Sequence, residues 1–253
     1  MEANLTPVVN AVSVSLADAE RRYKLAAETI LEAYEARRPK RADQVTPVQL
    51  HAAIEHFLVT SRELERALTE AGTTDQDEVS ELGDYGIILL MDLGMWAQQL
   101  GLDELESELD QIALGFADWI IRHQGEIRTL EPVVDALANL ANRARDTQAL
   151  EGLTNLMTRV VHAAAAGTKH DMGKTHPSRP WRVLNLNRGI VATRTHNTDL
   201  IEQVFAELVQ HLPTEAQQFF AEGMQQMDAL KYPPHVREIM ARYFDRWTRR
   251  GMH

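Results

Sequence analysis

The stretch most suggestive of chemistry is Gly167-Thr168-Lys169-His170-Asp171-Met172-Gly173-Lys174-Thr175, which resembles a phosphate-binding loop at both ends. Such a loop curls backbone amides around a phosphate where a strand passes into a helix, and it needs four residues between its first glycine and the Gly-Lys-Thr end. Here five residues intervene and a helical pattern precedes, so both spacing and context fail. Metal chemistry on a helix needs ligands three or four residues apart, where they share a face. The chain has no Glu-x-x-His and no histidines four apart, and His51 with Glu55 reads as a surface polar pair. His170, Asp171 and His176 could approach one another in a loop, without the fixed spacing that marks a metal site. The run Glu104, Glu106, Glu108, Asp110 opens a helix, where acids are solvated and complement the positive end of the dipole. Neither a Gly-x-Ser-x-Gly elbow nor a Gly-x-Gly-x-x-Gly turn occurs, and with no cysteine there is no thiol nucleophile or Cys-ligated metal. The expectation is of no cofactor, no metal and no catalytic residue.

Charge is distributed unevenly. The net charge of −11 argues against nucleic acid, whose phosphates need a basic surface. Residues 41–130 hold 5 Lys/Arg against 18 Asp/Glu, whereas residues 167–197 hold 6 against one. The basic segment is either a solvated loop or a receiver of an anionic partner. Its cluster of Lys169, His170, Lys174, His176 and Arg179 supports a second functional reading, an all-α enzyme or a small-anion or metal binder using the loop 167–180.

The elements that must position these residues are helices. Leu16, Ala19, Tyr23, Ala26, Ile30 and Tyr34 form one apolar stripe over about 15–38, ended by Arg37-Arg38-Pro39. Thr46-Pro47-Val48-Gln49 is a capping box with proline at the first helical position, and Gly72 closes that helix. A third helix starts at Asp75. Its middle, Tyr85 to Met91, is apolar all round and predicts a helix held between neighbours. Gly101 ends it, a helix over 103–124 follows, and Gly125 caps that one. Helices at 129–145 and 147–166, split by Asp146, form one pair; 180–195 and 197–211, capped by Asn197, form another. Thr214-Glu215-Ala216-Gln217 reads as a second capping box, and the last helix follows Pro233-Pro234. Period-two strand patterns are missing, so the expectation is an all-α chain of about ten antiparallel helices.

Tight turns near 101, 146 and 196 recur at similar intervals. Leu82-Gly83 with Tyr85, and the helix Ala136-x-x-Asn139-Leu140-Ala141 followed by a short turn and a second amphipathic helix, resemble degenerate tetratricopeptide units over roughly 76–230. The resemblance implies a superhelix of helix pairs over 75–253, with 1–74 as a two-helix N-terminal cap, all in one continuous domain. It further implies a concave surface that binds proteins or peptides. Asn139, Asn142 and Arg143 on one helix, with Arg182, Asn185 and Arg188 on a later one, resemble the face by which some tetratricopeptide domains grip a C-terminal carboxylate.

The expected function is therefore a non-catalytic protein- or peptide-binding scaffold, its partner acidic or carrying a free carboxylate. No nucleic acid and no membrane are expected as partners. No segment resembles a leader or a span, which sets cytoplasm as the expected location. The last helix, with Met240, Tyr243, Phe244 and Trp247, either seals the stack or pairs with a second copy, leaving monomer and homodimer open.

Overall fold

The computed structural model describes residues 15–37, 45–72, 75–169 and 179–250. Among them run eleven helices: α1 (Leu16–Arg37), α2 (Pro47–Ala71), α3 (Gln76–Gln99), α4 (Asp103–Arg122), α5 (Glu131–Arg143), α6 (Thr147–Ala163), the single turn α7 (Ala166–Lys169), α8 (Pro180–Thr195), α9 (Thr198–His211), α10 (Ala216–Ala229) and α11 (Pro234–Arg250). The fold is all-α, with helices packed against their neighbours in pairs. Extended pairing among the described residues is confined to one parallel bridge, where Ile127 N–H donates to Ala163 O (2.8 Å) and Ala165 N–H donates to Ile127 O (2.9 Å). Within the described residues no helix is long and apolar enough to cross a membrane.

Two compact units divide the chain, the first made of residues 1–140 and 162–171, the second of 141–161 and 172–253. In the first unit α3 packs most closely on α4, α1 packs on α4 and α2, and α2 packs on α3, so the four helices close a ring. Tyr23, Ile30, Phe57, Leu90, Phe116 and Ile120 fill it, and burying each such side chain contributes about 1.5–3 kcal/mol. Glycine lets the helices approach: a Cβ at Gly86 would lie 2.7 Å from the Phe57 ring. Polar ties lock the ring from outside. Arg22 grips Glu108 through two hydrogen bonds of 2.6 and 2.8 Å, and Arg37 donates to Leu100 O (2.6 Å) at the end of α3. The expectation that α3 lies between neighbours holds for one face only, since Tyr85 and Ile88 reach solvent.

In the second unit α8 pairs with α9, α10 pairs with α11, and α11 rests on α9. Phe205 is the hub, with Phe220 and Tyr243 ring centroids at 5.1 and 5.3 Å. Val236, Met240 and Tyr243 of α11 are buried here and Phe244 and Trp247 pack on the edge, so the aromatic face of the last helix seals this unit.

Most helix ends follow the expected chemistry. Thr46 and Gln49 form the capping box, Asp75 accepts from Asp77 and Glu78 N–H, Asp146 accepts from Ala149 N–H, and Asn197 accepts from Leu200 N–H. Two ends differ. After α4 the left-handed residue is Gln124 (φ 61°), and Gly125 serves close packing instead, since a Cβ there would lie 2.8 Å from Val79. Before α10 no capping box forms: Thr214 donates to the Glu215 carboxylate, and Glu215 precedes the helix in αR conformation without a side-chain cap bond.

Candidate functional site

Helix α8 carries three of the residues that the sequence marks for binding, Arg182, Asn185 and Arg188, and it belongs to the second unit. Trp181, Leu184, Arg188 and Val191 recur at three and four residues along it, and this stripe is buried. Asn185 goes inward with it. Its Nδ2 donates to Trp181 O (2.9 Å), its Oδ1 lies 2.9 Å from His211 Nδ1 on α9, and the His211 ring packs against Trp181 at 5.1 Å.

Arg188 is fully covered, and its Nη1 donates to Glu207 Oε2 at 2.8 Å. Glu207 keeps 22 % of its side chain in solvent. Among the described residues the arginine's buried Nε and Nη2 have no hydrogen-bond partner. Burial pulls the guanidinium's pKa below arginine's ordinary value, and the Glu207 carboxylate opposes that shift. At the start of the helix Arg179 (3.1 Å) and Arg182 (3.7 Å) converge on Glu215.

Of the open polar face expected of Arg182, Asn185 and Arg188, the last two are buried and engaged, while Arg182 keeps 24 % of its side chain in solvent. Asn142 and Arg143 are exposed on α5, whereas Asn139 lies in the first unit, half-buried, with its Nδ2 3.4 Å from Ser107 Oγ. Lys169 ends α7 in the first unit, half-exposed. His170, Asp171, Lys174 and His176 lie outside the described residues.

Beside a polar cleft at Glu151, Asn155, Asn197 and Asp199, the second unit leaves open a mainly apolar one. A groove of about 480 Å³ runs between α8 and α10, with α11 at its floor. Ile190 (51 % exposed) and Thr193 form one wall, Phe219, Met227 and Leu230 (63 % exposed) the other, and Met240 lies beneath. Two glycines bring the walls close. A Cβ at Gly189 would lie 2.7 Å from the Phe219 ring, and one at Gly223 would lie 2.7 Å from Met240. Arg194, on the rim, donates to Ala141 O (2.8 Å) and Ala144 O (2.7 Å), carbonyls at the end of α5. No motif in the sequence marks this groove. Its only advance signals were Gly189, Gly223 and the methionines of α10, none of which follows a motif.

The most perturbed carboxyl lies in the first unit. Burial, with Asp135, Glu106 and Glu131 nearby, pushes Asp110 up to about 7. Asp135 is raised for the same reasons. Among the described residues no group of three His, Asp or Glu side chains could hold a metal ion. Compared with protein-family models, with curated proteins and with solved structures, the chain matches none.

Proposed function

We propose that this chain is a non-catalytic binding module that holds a protein or peptide partner by an apolar helical segment seated between α8 and α10. The observation that carries the reading is the groove itself, about 480 Å³, with Ile190 and Leu230 half or more exposed on opposite walls. Solvent-exposed apolar walls beside a preformed cleft mark interaction surfaces more often than isolated exposed residues do. Methionine supports the same reading, since Met227 and Met240 line the groove and thioether side chains repack around varied apolar partners. The tetratricopeptide-like pairing of helices belongs to this proposal as its architectural part, because stacked helix pairs present such clefts.

The test is selection of helical peptides from a random display library on the full chain, followed by affinity measurement of the enriched peptides against Ile190→Asp and Leu230→Asp variants. Both positions are exposed, so the fold tolerates the changes. Each variant should weaken binding about tenfold or more, equivalent to about 1.4 kcal/mol. Enriched peptides that bind wild type and both variants equally would remove the groove from the function.

A further inference from the structure

Helix α3 buries Ile87, Leu90, Leu93 and Ala97 and leaves a second apolar stripe in solvent. Tyr85, Ile88 and Met95 are 47, 41 and 55 % exposed. Single exposed apolar residues are ordinary on a protein surface. These three share one line with Glu81, Asp92 and Gln99, at successive spacings of four, three, four, three and four residues. That is the repeat of about 3.5 residues by which one helix lies along another. The line lies outside the closed ring of the first unit.

Charge selects the occupant. Helix α3 holds Asp77, Glu78, Glu81, Asp84 and Asp92 and no lysine or arginine. It lies within the segment of 5 Lys/Arg against 18 Asp/Glu. On α4, Glu106 adds a further carboxylate beside Gly94, near the Met95 end. Among the described residues Arg128 is paired with Glu81, at 3.9 Å and with both side chains exposed, which compensates the acids of this face only weakly. Asp92 sits partly covered within the stripe, and burial raises its carboxyl above the usual range. A second copy would bring the same acids against themselves, and anionic lipid or nucleic acid would be repelled.

We infer that the Glu81–Gln99 face of α3 docks a cationic amphipathic helix of a partner protein, apolar residues on Tyr85, Ile88 and Met95 and lysine or arginine beside Glu81 and Asp92. Electrostatic steering sets the approach and the apolar stripe holds the complex.

The test uses two labelled synthetic helices, one of leucine and lysine and one of leucine and glutamate, titrated by fluorescence anisotropy into the full chain. The lysine peptide binds and the glutamate peptide does not. Glu81→Lys alone, and Ile88→Ser with Met95→Ser, each weaken the lysine peptide about tenfold. Leu230→Asp, in the groove of the second unit, leaves it unchanged, so this surface and the proposed groove fail separately. Equal binding of the two peptides, or lysine-peptide affinity indifferent to the α3 changes, overturns the inference.

Discussion

Replacing Glu207 with glutamine removes the countercharge from a guanidinium that has no access to water, and the expected outcome follows from the geometry around Arg188. The Nη1 to Oε2 bond is 2.8 Å, Arg188 is wholly covered, and its Nε and Nη2 already lack partners among the described residues. Breaking a buried ion pair at one end costs about 3–5 kcal/mol, because the remaining charge stays desolvated. Glutamine keeps an acceptor oxygen in place and Glu207 is 22 % exposed, which reduces the expected loss to roughly 2–3 kcal/mol. Arg188→Met acts in the opposite sense. It removes two desolvated donors that each cost about 1–3 kcal/mol, keeps most of the side-chain volume, and leaves Glu207 in contact with water.

The balance for Arg188→Met is between no change and a gain of about 2 kcal/mol, whereas Arg188→Ala loses packing and costs roughly 2–4 kcal/mol. Urea unfolding of the full chain, followed by circular dichroism and by tryptophan fluorescence, measures all three. Should Arg188→Met lose as much stability as Arg188→Ala, the guanidinium contributes net stability and the account of a strained, buried charge is refuted. A neutral or stabilised methionine variant would mean that the arginine is kept at this position for something other than stability.

Asp110→Asn should stabilise the chain at about pH 8 by roughly 1–2 kcal/mol, a value discounted from the full linkage because the side chain is partly exposed. Its carboxyl titrates near 7 when folded and near 3.8 when unfolded, so its contribution is fully present below about 3.8 and is lost as pH rises through about 7; at about pH 4 thermal melts of the two proteins should coincide. Thr46→Ala should cost about 1 kcal/mol by removing a formed capping box, while Thr214→Ala changes stability by less than about 0.5 kcal/mol, and equal losses in chemical denaturation would refute the difference between the two helix starts. Gly86→Ala should destabilise by about 1–3 kcal/mol despite alanine's higher helix propensity, because the Phe57 ring would lie 2.7 Å from the new Cβ; a raised melting temperature would show that the ring can move aside.

Helix limits were legible because their signals are local. A proline at the first position, an Asp, Asn or Thr before it and a glycine after the last turn act within a few residues, and α2, α8 and α9 run as the sequence indicates. The orientation of α8 was not legible. Arg182, Asn185 and Arg188 read as a polar stripe, yet Arg188 also belongs to the line of Trp181, Leu184 and Val191, and the larger apolar area of that line decides which way the helix turns. Asn185 and Arg188 then meet partners distant in sequence, His211 and Glu207, which no spacing rule anticipates. Thr214 caps nothing, and its hydroxyl donates to the Glu215 carboxylate. Its neighbour Glu215 is claimed by Arg179, 36 residues away in sequence. The open side of α3 escaped notice because an all-round apolar segment carries no directional signal, and only the closed ring of α1 to α4 determines which half remains outside.

The arginines of the second unit bear on what its groove can hold. Arg188 is tied to Glu207, Arg179 and Arg182 to Glu215, and Arg194 to the carbonyls of Ala141 and Ala144. Arg188 is wholly covered, and a ligand carboxylate arriving at Arg179, Arg182 or Arg194 exchanges one acceptor for another, which yields little net free energy. Affinity in the α8–α10 groove must then come from apolar burial, at about 25 cal/mol per Å². Burial of this kind is indifferent to moderate salt, whereas docking on the acidic face of α3 is screened by it. Peptides selected on Ile190 and Leu230 should keep their affinity as sodium chloride rises from low to about physiological strength, and a steep loss would return the arginines to the binding surface.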